Sequence, residues 1–384
     1  MGSGPARGEW LRSRTRRTGP RALAAGRVDG RSRTAGERGR MKPLPGCLPC
    51  ILHQTLQVAR SVSDDEWSQR KVLNEVLRAL PDAEWHQSSP AELLADAIAS
   101  ARGTLKVRAP YADLRAQVGE VFAGLAEDLR ARAGQEADPF AFLVTAAAAA
   151  NLVDELVFAR FARKDPTQVF EQALAQGFAV GSVDVLRETV ERAQTVVYFL
   201  DNAGEAQIDA LLVEHLRGLG KTVFVAVRGG GLLHDATPED ALAAGLAPPS
   251  TADPAPASPG DAERGSPNDG APVFSEPGAE QTPESASDDP APRALPWLIE
   301  LPFGELGVSA VARSTDLGAA LERADLVLAK GSANYETLRA DRECFFLLRA
   351  KCGPVAASLA VPQGSLVLHH VKAPEARASE PASV

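Results

Sequence analysis

The chain has 384 residues with ordinary apolar content, 45%, enough for one large domain or two modest ones around a sizeable core. Its net charge of −9 argues against a nucleic-acid binder held by phosphate neutralisation, and no apolar run of transmembrane length is free of polar residues. Four cysteines in a chain this long do not make a disulfide scaffold, so a reduced, cytoplasmic protein is expected.

Residues 1–40 contain eleven Arg, no Lys, and only Glu9, Asp29 and Glu37 as acids. They lack the apolar core of a secretory signal. An organelle transit peptide is one reading. The favoured one is a leader without structure, with Met41, the only methionine besides Met1, as the functional start. Residues 41–190 then read as a helical subdomain. QTLQVARSV, EWSQRKVLNEVLRAL, PAELLADAIASAR, YADLRAQVGEVFAGLAEDLRARA, PFAFLVTAAAAANLVDELVF and PTQVFEQALAQGF place apolar residues at three- and four-residue spacing, punctuated by Pro81, Pro90, Pro139 and Pro166. The fifth segment carries Asn151, Asp154 and Glu155 and reads as a buried helix.

From residue 195 the pattern changes to short β-rich runs, TVVYFL, TVFVAV, LVLAK, CFFLLRA and SLVLHH, with helical stretches between the first few. That alternation predicts an α/β domain over 191–248 and 296–372, with a mainly parallel, Rossmann-like sheet flanked by helices. Residues 249–295, rich in Pro, Ala, Ser, Gly, Asp and Glu with Phe274 as the single aromatic, read as a disordered acidic insertion, and 373–384 as a polar tail.

In an open parallel sheet, ligands bind beyond the carboxyl ends of the strands. TVVYFL ends in Asp201-Asn202, a turn at Gly204 and a helix opening at Glu205. A carboxylate beside an amide oxygen is a hard donor pair suited to Mg2+ or Mn2+, and the helix N-terminus behind it favours an anion. The alternative is that Asp201 or Asn202 merely caps the helix. TVFVAV repeats the design with Arg228, Gly229-Gly230-Gly231, His234 and Asp235; adjacent strands about 5 Å apart would let Asp201 and Asp235 share one metal. Here the alternative is that Asp235 caps TPEDALAAGL, with Thr237 and Glu239 in support. LVLAK ends in Lys330, followed by Gly331, Asn334 and Glu336. A lysine there is a natural phosphate partner, or else an ion pair for Asp201 or Asp235.

DNAGE, RGGGLLHDAT, KGSANYE and LLRAKCGPVA, in this order, resemble the damage-control phosphatase family, long catalogued as domain-of-unknown-function family 89, which shares its metal-binding domain with a protein once proposed to methylate acidic residues. MKPLPGCLPC, APYADL and AANLVDELV are similar to its cysteine-bearing prokaryotic-type branch. The likeness covers residues 41 to about 370 apart from the insertion. It implies a metal-dependent phosphatase of small phosphorylated metabolites, sugar or cofactor phosphates, using Mn2+, Mg2+, Co2+ or Ni2+. It places the metal ligands on Asp201, Asn202 and Asp235, the phosphate-binding lysine on Lys330, and a pocket-lining asparagine on Asn151. Arg228, Asn334 and Glu336 join the expected substrate contacts, and Asp201, Asp235 and Lys330 the expected catalytic set. A metal-activated water is the expected nucleophile. The chain departs from the family at His234, where asparagine is usual, at Gly231, where proline is common, and at Ala150 before Asn151, where glycine is common.

Four other readings stay open. Cys47 and Cys50, joined by Cys352 or Cys344, would make a second metal site, although one CxxC is not a complete zinc site and buried thiols are the plainer reading. A non-catalytic metal or metabolite sensor would use that pair. A methyltransferase on the same type of sheet wants its glycine-rich loop after the first strand, whereas the GGG here follows the second. A dinucleotide oxidoreductase lacks its G-x-G-x-x-G. No nucleic-acid or membrane partner is expected.

Overall fold

The computed structural model of the chain describes residues 41–108, 110–158, 166–246, 248, 296–308, 316–339 and 342–373. The Arg-rich leader, the acidic insertion and all but the first residue of the 373–384 tail lie outside the described residues.

The predicted helices form where their periodicity places them. They are α1 (Cys47–Val62), α2 (Glu66–Ala79), α3 (Pro90–Leu105), α4 (Ala112–Ala133), α5 (Pro139–Phe158) and α6 (Pro166–Gln176). Pro90, Pro139 and Pro166 each stand at the first helical position, where the missing N–H costs nothing and the fixed φ suits the helix. Ser89 and Glu92 close a capping box on α3. After a short β1 (Phe178–Val180) and α7 (Val183–Arg192) come β2 (Thr195–Phe199), α8 (Ala206–Gly218), β3 (Thr222–Val227), α9 (Pro238–Ala243), β4 (Leu298–Glu300), α10 (Asp316–Arg323), β5 (Leu326–Lys330), α11 (Gly331–Thr337), β6 (Glu343–Arg349), α12 (Gly353–Leu359) and β7 (Leu366–Val371).

The seven strands form one sheet in the order β1-β7-β6-β5-β2-β3-β4, parallel throughout except for β6 against β7. The mainly parallel α/β sheet is thus present. Strands β1 and β4, three residues each, are too short to show a period in the sequence.

Alternation along the strands sends Tyr198, Leu200, Val225, Leu328 and Leu347 to one face, where α4–α8 pack in a single core with them. It sends Phe199, Ala226, Ala329 and Phe346 to the other, against α10 and α12. Helices α1–α3 belong to neither layer. Val58, Val72, Ile98 and Ala101 pack against Tyr111, Leu232, Leu233 and Leu306, so these three helices sit over the loop that follows β3. The helix carrying Asn151 flanks the sheet beside β6 and β7, and the helices over the strand ends are α1–α3.

Candidate active site

The carboxyl ends of β2, β3 and β5 meet. Phe199 is in register with Ala226 on one side and Ala329 on the other. Two residues further along, Asp201 therefore lies between Arg228 and Gly331. The chain past β2 and the loop past β3 are tied by Ala203 N–H to His234 O at 2.8 Å and Ala236 N–H to Asp201 O at 2.9 Å, with Asn202 opposite Asp235 in an antiparallel bridge. Gly331 has φ +78°, and a Cβ there would stand 1.9 Å from Asp201 Oδ2. The glycine after Lys330 is what leaves room for the Asp201 carboxylate. A Cβ on Gly204 would likewise run 2.5 Å from Val118 of α4, so the DNAGE turn needs its glycine for close packing.

Capping does not account for these residues. The residue before α8 is Glu205, in helical conformation, with no side-chain cap. Before α9 the cap is Thr237, whose amide and hydroxyl both donate to Asp240, at 2.8 and 2.7 Å. Asp201, Asn202 and Asp235 are thus released from a capping role while being buried. Around the N-terminus of α8, the N–H groups of Ala203, Ala206 and Gln207 already bond to backbone carbonyls.

Asp201 Oδ2 accepts the amide nitrogens of Asn151 and Asn202, each at 3.0 Å. The same two nitrogens donate to Glu205 Oε1, Asn151 at 2.7 Å and Asn202 closer still. Asn151 Oδ1 takes the Arg349 N–H at 3.3 Å. Fully buried and engaged at both ends, Asn151 ties α5, α8 and β6 together rather than lining an open pocket. Asp235 accepts the Leu233 N–H at 3.1 Å and lies 3.9 Å from Arg228 Nε. Arg228, 1% exposed, donates to Asn334 Oδ1 at 2.9 Å and to Gly307 O at 3.3 Å. Asn334 donates onward to Lys330 O at 2.8 Å. Arg228 and Asn334 thus brace the strand ends from behind.

Lys330 is fully buried, and its partners are neither Asp201 nor Asp235. Its ammonium is 2.8 Å from Glu205 Oε2 and 2.9 Å from Asp209 Oδ1. A sealed lysine with two carboxylates on it is not placed to meet a phosphate. The lysine that bears on the site from a half-buried position is Lys351, whose charge acts on Asp201, Glu205 and His234. It lies in the LLRAKCGPVA segment, just past β6.

Among the described residues, five buried carboxyl groups, Asp201, Glu205, Asp209, Asp235 and Glu336, face two buried cations, Arg228 and Lys330, at these strand ends, an excess of acidic groups. The excess shows in the titrations. Burial, and then the Glu205 charge, pushes Asp201 up to about 7. Burial pushes Glu336 up to about 8, with Asp201 adding to the rise, and raises Asp235. Burial, then Lys351, pushes His234 down to about 3, so its imidazole is neutral. Two carboxylates and an amide oxygen short of positive charge fit a hard divalent cation.

Burial holds Asp201 up to about 7 and Glu336 up to about 8 in the fold, whereas the unfolded chain releases both protons in the ordinary carboxylate range, so the metal-free protein should lose stability as pH rises from that range to about 8, and lose no more above it. In the acid part of that range, His234, held neutral in the fold, acts in the opposite direction. Melting curves in chelator should therefore fall from about pH 6 to about pH 8 and level off above it, and Mn2+ should flatten the fall. A chelated protein equally stable across the window would contradict the charge excess.

Among the described residues, no three His, Cys, Asp or Glu side chains are gathered to hold a metal ion. Burial raises the Cys47 thiol, and desolvation, then Cys352, Glu336 and Cys47, pushes Cys50 up to about 11. Such thiols stay protonated, unlike a ligating or reactive thiolate. No helix among the described residues is long and apolar enough to cross a membrane.

Sequence reasoning passed over Tyr198, Asp209 and Lys351. Asp209 had a signal. With Glu205, Leu212 and Leu216 it falls on one stripe of α8, and an acid on a buried stripe needs a partner.

The family model for the damage-control phosphatase ARMT1-like domain matches residues 44–367. Over 85% of its length the chain is 25% identical to a damage-control phosphatase of Pyrococcus horikoshii, covering 97% of that protein. It is 27% identical to one of Archaeoglobus fulgidus, again over 85% of this chain and 98% of the relative. A crystal structure of a family-89 protein from Pyrococcus horikoshii superposes with a TM-score of 0.67 at 24% identity, covering 87% of this chain and all of that one.

Proposed function

The chain belongs to the ARMT1-like damage-control phosphatase family, and from that premise we propose that it is a metal-dependent phosphomonoester hydrolase of small phosphorylated metabolites, with a role in metabolite damage control. The observation that carries the reading is the meeting of Asp201, Asn202 and Asp235 at two strand ends with more negative charge than the buried cations neutralise.

Asp201, Asn202 and Asp235 would hold one divalent cation, Mn2+ or Mg2+, with Co2+ or Ni2+ as substitutes. When bound, that cation supplies Lewis-acid stabilisation of charge on a phosphoryl group. The chain supplies the rest. Lys351 offers the phosphate a positive charge from a position that substrate can reach. His234, neutral and edge-on to Tyr111 at 6.3 Å, can hydrogen-bond the alcohol portion of an ester without changing the charge of the site. Glu336, with its carboxyl held protonated to about pH 8, offers a proton near Asp201. Lys330 keeps the Glu205 and Asp209 carboxylates in place, and Arg228 and Asn334 hold the strand ends.

Binding of inorganic phosphate, the product common to all such substrates, tests this reading. Calorimetry should show phosphate binding with Mn2+ present and none in chelator. Lys351→Ala should weaken phosphate binding by about tenfold or more, leaving Mn2+ affinity and melting temperature near the parent values. Phosphate bound equally well without metal, or unaffected by the loss of Lys351, would overturn the assignment.

A further inference from the structure

Tyr198, Asp209 and Lys330 form a buried assembly behind the metal-ligand candidates. Alternation turns Tyr198 of β2 and Lys330 of β5 to the α8 side of the sheet, while Glu205, just before α8, and Asp209, one helical turn on, face them. Tyr198 Oη donates to Asp209 Oδ1 at 2.8 Å. Lys330 Nζ donates to both Asp209 oxygens, at 2.9 and 3.1 Å, and to Glu205 Oε2 at 2.8 Å. The other Glu205 oxygen accepts the amide nitrogens of Asn151 and Asn202. The four groups from Tyr198 to Glu205 are fully buried, so no solvent competes for these bonds.

The chemistry of an amide makes this arrangement directional. Only its nitrogen can donate to a carboxylate. Glu205, together with Asp201 Oδ2, therefore holds the Asn202 nitrogen and leaves the amide oxygen as its ligand atom. Glu205 is itself fixed by Lys330, a point charge on a flexible four-carbon stem that defines no position alone. Asp209 grips that ammonium through both oxygens, and Tyr198 fixes Asp209.

We infer that Asp209, held by Tyr198, is a positioning residue for the metal site: it fixes Lys330, Lys330 fixes Glu205, and Glu205 sets the Asn202 amide with its oxygen toward the cation. The inference rests on the reading of Asp201, Asn202 and Asp235 as metal ligands. Neither Asp209 nor Tyr198 touches the cation or the substrate, so their effect on metal binding is indirect.

The test uses the full chain with Asp209→Asn and Tyr198→Phe, titrated with Mn2+ alone and melted in chelator. Asp209→Asn should weaken Mn2+ binding by about 10- to 100-fold, the usual consequence of losing an outer-shell partner. Tyr198→Phe, which removes one hydroxyl, should weaken it several-fold, with little change in melting temperature. Should Asp209→Asn fail to fold, Tyr198→Phe carries the test. Affinities within about twofold of the parent, whatever the melting temperatures, would make the assembly a purely structural device and overturn the inference. If the parent chain binds no Mn2+, the metal-ligand reading falls and this inference with it; if parent and variants bind equally, this inference alone falls.

Discussion

Asp201→Ala should abolish metal-dependent phosphate release, by about 10³-fold or more, while leaving the metal-free fold no less stable than before. The two halves of that result have one cause. The Asp201 carboxylate is buried and, among the described residues, accepts only amide N–H groups from side chains, and burial with the neighbouring Glu205 lifts it to about 7. In the absence of a cation it is therefore a burden on the fold at neutral pH. Its removal leaves Glu205 to accept both amides. With a cation bound, the same carboxylate is a ligand, and a lost ligand forfeits the several kcal/mol of charge stabilisation that a metal brings, at about 1.4 kcal/mol per tenfold in rate. Asp235→Ala should match it in activity and differ in stability, because it strips the Leu233 N–H of an acceptor and Arg228 of its nearby carboxylate. Turnover and chelated melting curves of both variants check this. An Asp201→Ala protein that melts well below the parent in chelator would show the carboxylate to be structural.

Lys330→Met, unlike Asp201→Ala, should cost the fold as well as the metal site, with a loss of about 3–5 kcal/mol of stability. Among the described residues, the lysine is the only cation within hydrogen-bonding distance of two fully buried carboxylates, Glu205 and Asp209. The methionine keeps the volume and leaves both acids uncompensated. Asp209, already pushed up to about 6 by burial, would take a proton first. Chemical unfolding at neutral pH measures the loss. Stability within about 1 kcal/mol of the parent would mean that the ion pair contributes little. Set beside Lys351→Ala, which should touch phosphate binding and leave the fold alone, this variant separates the two lysines of the site.

The strand ends were legible because their chemistry is local. Asp201-Asn202 directly follow one apolar, β-rich run, and Asp235 stands one short glycine-rich loop beyond another. The helices up to Gln176 were legible for the same reason, with Pro90, Pro139 and Pro166 marking their first residues. The role of Lys330 was not. A lysine at a strand end reads alike whether it faces solvent or a helix, and only the packing of α8 across the sheet shows that Glu205 and Asp209 enclose it. Lys351 went without a role because it follows β6, whose end comes to the site through strand order rather than sequence order. Asn151 was placed on the right helix, but its helix flanks the sheet and its amide is engaged at both ends. Strand alternation could have suggested Tyr198, since a tyrosine within an apolar strand needs a partner for its hydroxyl.

The most direct test of the central claim is phosphate release by the full chain from a panel of sugar and cofactor phosphates, with Mn2+, Mg2+, Co2+ or Ni2+ and in chelator. The account predicts release with a divalent cation, none in chelator, and none from Asp201→Ala or Asp235→Ala under any metal. Release that persists in chelator, or no release from a folded chain that binds the metal, would contradict it.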